Sequence, residues 1–141
     1  VTRMEVDDRL IPTRTQPVDE VDCDFRTPSV IGAREIDHAF TDLVGDDDGS
    51  VAVQLLDPAH GTGVELTFGS WAPWVQIHTA DRPEPENNRV GLAVEPMNCP
   101  PNAFNAPGGP PVLESGATHV AQWTISAIST LSSAAPTNES G

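Results

Sequence analysis

The chain has 141 residues, with 21 acidic side chains against seven basic ones, all arginine, and a formal net charge of -14. That length fits one domain, and a domain of this size buries about two-thirds of its unfolded surface. The charge argues against nucleic acid or an anionic membrane as partner, because both need clustered positive charge, and the acidic excess reads as a solvated surface.

The first forty residues are irregular. "DDRLIPTRTQPV" (Asp7 to Val18) has room for one short strand before Pro12, and "DCDFRTPSVIGAREIDHAF" (Asp22 to Phe40) is broken by Pro28 and Gly32. From there, short runs of period near two recur between turn signals, which predicts an all-β chain. "SVAVQLLD" (Ser50 to Asp57) and "VELTFG" (Val64 to Gly69) form a hairpin. It is entered by the turn "GDDDGS" and closed by "PAHGTG". "WVQIHTA" (Trp74 to Ala80) and "RVGLAVE" (Arg89 to Glu95) are further strands, separated by the polar, proline-broken "DRPEPENN". "VLESGATHVAQWTISA" (Val112 to Ala127) reads as a strand end, a turn at Ser115 and Gly116, and a final strand. Residues 1–128 make one unit, and the small, polar tail 129–141 is expected to be disordered. No internal repeat and no second domain is visible.

Cys23 and Cys99 lie far apart without a CxxC partner, so no zinc site of four close ligands is visible. They read as two partly buried free thiols, with one disulfide as the alternative. "GDDDGS" lacks the alternating ligand spacing and the downstream glutamate of a calcium loop. No apolar run approaches the ~20 residues of a membrane span, and no basic segment leads into an apolar one as in a signal peptide, which points to the cytoplasm.

Alternate residues of a strand share a face. In "GLAVE", Gly91, Ala93 and Glu95 share one face and Leu92 and Val94 the other, so the glutamate stands on a face almost bare of side chain. That suits a cleft floor, but the pattern alone favours an exposed charge at a strand end, where charged residues are common. In "WVQIHT", Trp74, Gln76 and His78 share a face opposite the core-like Val75, Ile77 and Thr79. An aromatic plane beside an amide fits a sugar, whose hydroxyls need donors and acceptors together. A partly exposed strand face explains the same residues. Asp37 and His38 are adjacent, so in extended chain they diverge and cannot act as a dyad.

The ordered series "LIPT", "DFRTP", "IDHAF", "WVQIHT", "LAVEPMNCPPNAFN" and "VLESGATHVAQWTI" resembles the C-terminal half of the aldose 1-epimerases, the galactose mutarotases. The resemblance implies an all-β antiparallel sandwich whose concave sheet holds a monosaccharide, an aldohexose such as galactose or glucose. The reaction it implies interconverts α and β anomers by acid–base ring opening, with no cofactor and no metal. It assigns the general base to Glu95 and sugar contacts to Asp37 and Gln76, with Pro96, Pro100 and Pro101 holding the base. A base works best with a pKa near the working pH, and partial burial moves a carboxylate in that direction.

There are departures from the family pattern. Asn102 replaces the usual aspartate of a Pro-Asp-Ala step, and His78 stands where relatives often carry an aromatic residue. The acid histidine belongs to the N-terminal half of the family fold. The resemblance therefore leaves two readings open: an isomerase, or a non-catalytic sugar-binding module that lacks the acid. A hexose-phosphate epimerase would need arginines gathered at the site, and the seven here are scattered. A half sandwich exposes sheet edges and apolar surface, so self-association, or pairing with an N-terminal half, is expected.

Overall fold

The computed structural model describes residues 1–129, so the expected tail lies outside the described residues apart from Ser129. Eight strands run in the order β1 (Thr2–Val6), β2 (Pro12–Pro17), β3 (Asp37–Thr41), β4 (Val51–Asp57), β5 (Thr62–Phe68), β6 (Trp74–His78), β7 (Ala93–Met97) and β8 (Trp123–Ser129). Short 3-10 turns at Val18–Glu20 and Ala103–Asn105 complete the described elements. The fold is all-β and antiparallel. One sheet has the order β2-β1-β3-β6-β7 and the other β4-β5-β8.

The sheets meet over one core. Phe40 and Val75 of the first sheet and Phe68 of the second are buried with Val18, Cys23, Ile36 and Ala72, and Val51, Val53 and Leu66 pack against them. Burial of each large apolar side chain contributes about 1.5–3 kcal/mol, which favours closure of the two sheets over either sheet alone.

The expected hairpin of β4 and β5 pairs Val51 with Phe68 through to Asp57 with Thr62. Gly49 turns the chain into it with a φ of 79°. Gly63 has no room for a side chain, since a Cβ there would run into the Leu55 carbonyl. β8 then pairs along the whole of β5, from Phe68 with Trp123 to Thr62 with Ser129.

Three stretches differ from the expectation. From Val112 to Gln122 there is no strand, only the turn at Ser115 and Gly116, and the final strand begins at Trp123. Between Asp7 and Val18 the strand starts at Pro12 instead of ending before it. Residues 7–11 are the turn of a β1–β2 hairpin, capped by the Asp7 carboxylate, which accepts from Arg9 N and Ile11 N. The strand expected over Arg89 to Glu95 begins at Ala93 and runs on through Pro96 to Met97. Proline is tolerated there because β7 is an edge strand, where a missing ladder donor costs least. The other edge strand, β2, begins and ends on proline. Cys23 is buried, Cys99 is half-buried, and both are free thiols.

Candidate functional site

The register of the five-stranded sheet places the site. Asp37 of β3 faces His78 of β6 and Ala39 faces Gln76, while on the far side Gln76 faces Glu95 and His78 faces Ala93 of β7. Three neighbouring strands thus carry Asp37, Gln76, His78 and Glu95 on one face. Val75, Ile77, Phe40 and Val94 occupy the other face and join the core. The alternation read from "WVQIHT" and "GLAVE" holds within the strands; Gly91 and Leu92 precede β7.

Above this face lies a cleft of about 380 Å³, lined by Met4, Val6, Asp37, Gln76, His78 and Glu95 among others. That volume lies within the ordinary range of small-molecule sites. Its sides differ in chemistry. Met4 and Val6 of β1, with Leu10 from the hairpin turn, make an apolar wall. The carboxylates, amide and imidazole of β3, β6 and β7 make a polar one. Pro101, just beyond β7, also borders the cleft.

Gln76 Nε2 donates to Asp37 Oδ1 at 2.7 Å, which fixes both side chains. His78 Nδ1 lies 3.6 Å from the same oxygen, within ion-pair reach and longer than a hydrogen bond. Glu95 is exposed, so the described residues do not supply the partial burial expected for a base. Asp37 opens β3, and its neighbour His38 turns to the opposite face, as divergence in extended chain requires. His38 Nδ1 accepts from Asp37 N at 3.2 Å.

A clamp outside the cleft holds Asp37 and His78 in register. Thr79, buried, follows His78; Ile36, buried, precedes Asp37. The Thr79 hydroxyl accepts from Ile36 N at 2.9 Å, and Thr79 N donates to Ile36 O at 2.9 Å. The same hydroxyl donates to the Asp81 carboxylate, with the Ile36 carbonyl as a second acceptor. Arg89 Nε donates to Asp81 at 2.5 Å, and the guanidinium continues to the carbonyls of Gly32 and Arg34. The Thr79 hydroxyl and then Arg89 hold the Asp81 carboxyl below its usual range. After β7, Asn102 takes the left-handed conformation, with a φ of 60°, and accepts from Asn105 Nδ2. Asparagine tolerates that conformation well, which gives the departure at this position a local role.

Sequence reading did not find the clamp or the apolar wall. The run "RVGLAVE" predicts a strand that includes Arg89, whereas Arg89 stands at a turn with positive φ. The wall was hidden because the alternation of "TRMEV" is inverted. Met4 and Val6 face the cleft, and Arg3 faces inward, where it pairs with Glu5 at 2.7 Å and donates to Cys23 Sγ at 3.2 Å. The period-two spacing of Met4 and Val6 was the available signal.

These features define a class: an antiparallel β protein whose sheet carries a small-molecule-sized cleft with two carboxylates and an amide. The family model for aldose 1-epimerase matches residues 2–126, and the chain belongs to that family. It is also 38% identical over 117 residues to the uncharacterized protein YihR of Escherichia coli (strain K12). That match covers 81% of this chain and 34% of the relative, so the chain spans about a third of the relative's length. No solved structure matches the chain. Among the described residues no helix is long and apolar enough to cross a membrane.

Proposed function

We propose that the protein is an aldose 1-epimerase-like isomerase that interconverts the α and β anomers of a free aldohexose such as galactose or glucose. The observation that carries this reading is the convergence of Asp37, Gln76 and Glu95, from three adjacent strands, on one cleft. Glu95 takes the proton from the C1 hydroxyl, and a general acid protonates the ring oxygen. The C1–O5 bond then breaks to give the aldehyde, and closure on the other carbonyl face gives the other anomer. The Asp37–Gln76 pair, already locked by its hydrogen bond, presents hydroxyl partners without a further ordering cost. The family resemblance puts the acid in an N-terminal half. The partly uncovered apolar face of the three-stranded sheet supports pairing with such a segment, or with a second copy.

A second reading, a sugar-binding module without turnover, draws on the openness of the cleft beside Glu95. Polarimetry on freshly dissolved α-D-glucose and α-D-galactose separates the two. For the isomerase, the protein accelerates mutarotation, and Glu95→Gln lowers kcat by about 10²–10⁴-fold, the usual worth of a general base. Equal rates for wild type and Glu95→Gln would remove Glu95 as the base. Sugar binding without any acceleration, in this chain and in a longer protein containing it, would establish the module.

A further inference from the structure

We infer that His78 is a substrate-contacting residue of the same cleft, that its Nε2 binds one hydroxyl of the aldose, and that Asp37 orients its ring. This inference rests on the sugar-site reading above.

Three observations carry it. His78 borders the cleft, and its register partner across β3 and β6 is Asp37. Among the described residues, the buried side-chain polar atoms without a partner are Gln76 Oε1 and His78 Nδ1. Both belong to cleft-lining residues bracketing one carboxylate. A buried polar atom without a partner costs about 1–3 kcal/mol, and such costs persist where a site requires them. Finally, the side chain of His78 remains 27% exposed although Nδ1 is buried. Nε2 has no described partner and is not among the buried atoms, so the ring turns Nδ1 inward and Nε2 toward the opening.

The chemistry follows from that orientation. A carboxylate facing Nδ1 favours the proton on Nδ1, which leaves Nε2 of the neutral ring as an acceptor for a hydroxyl. Asp37 of β3 is the charged residue facing this ring; on β7 the ring faces Ala93, with Glu95 lining the same cleft opposite Gln76, and β1 contributes only Met4 and Val6. Asp37 thus has two duties: it holds Gln76 by a direct bond and sets the ring of His78. An aromatic hydrocarbon at this position would pack against a sugar but would read no hydroxyl, so His78 adds selectivity.

The test titrates the 141-residue chain with D-galactose, D-glucose and their 2-, 3-, 4- and 6-deoxy analogues, following backbone amide shifts by NMR. In wild type, one deoxy analogue binds about tenfold more weakly than its parent, because removal of the hydroxyl leaves Nε2 unpaired. His78→Phe and His78→Asn, which place no polar atom at Nε2, bind that analogue and its parent equally. His78→Gln, whose amide reaches the same point, restores part of the difference. A merely structural histidine would weaken all sugars alike and leave the ratios unchanged. Wild-type ratios in a folded His78→Phe or His78→Asn chain would overturn the inference while the sugar site stands. If no aldose shifts the wild-type spectrum, both the site reading and the role of His78 fall.

Discussion

In the five-stranded sheet, the face turned away from the core carries Asp37, Gln76, His78 and Glu95. In the three-stranded sheet, the face turned toward the core carries Leu55, Val64, Trp123 and Ile125, which remain 42%, 48%, 57% and 64% exposed. These four share that face with Val51, Val53, Leu66 and Phe68, which do reach the core. The first sheet assembles its polar groups from neighbouring strands within one chain. The second has more apolar face than the chain can cover. The difference teaches that a site's geometry and a fold's coverage are separate achievements. Register places the carboxylates, whereas removing apolar area from water needs an opposing surface of equal size.

The largest effect is expected where the sheets depend on each other. Phe68 is 3% exposed and packs among Phe40 and Val75 of the other sheet. Phe68→Ala should cost about 3–5 kcal/mol by urea denaturation. A cost below about 1 kcal/mol would mean that the two sheets do not share one core. Next is the clamp. Thr79→Val keeps the shape, removes the hydroxyl and strands Ile36 N, at about 1–3 kcal/mol. Thr79→Ser should recover most of that. If the clamp positions the site, Thr79→Val also raises KM for the aldose; loss of stability without any change in sugar affinity would confine it to folding.

A smaller effect concerns pH. Burial, and then the nearby Arg3 charge, push the His38 imidazole below its ordinary value of 6.5. The unfolded chain therefore takes up a proton first, so this contribution is intact above about pH 6.5 and stability falls as pH drops below it. Urea midpoints at pH 7.5 and 5.5 measure the decline, and His38→Gln should flatten it. The smallest change in stability is expected on the uncovered face. Ile125→Thr should alter the unfolding free energy by no more than about 0.5 kcal/mol. The same substitution should reduce self-association in sedimentation velocity, and unchanged association would place the contact elsewhere.

Much of this was legible in residue order. Alternation in "SVAVQLLD", "VELTFG" and "WVQIHT" gave three strands close to their observed bounds, because each is a run of period two closed by glycine, proline or aspartate. The same alternation put Gln76 and His78 opposite Val75, and Glu95 on the bare side of its strand. It failed where the pattern was interrupted or reversed. β7 runs through Pro96 because it lies at an edge, and edge position is not a local property. Arg3 and Glu5 face inward because they satisfy each other and Cys23, a partnership that spans 20 residues.

The sequence by itself determined that the chain is all-β, which residues share a face within each strand, and, through its ordered family segments, which carboxylates and amide to watch. Only the tertiary structure decided which of them are neighbours. Asp37 and Gln76 are separated by 39 residues, and they meet because the core and the Thr79–Ile36 clamp lock β3 and β6 in one register. A slip of one residue would turn each side chain to the other face, so a contact between strands is set by packing across the sheet and not by the pattern along either strand.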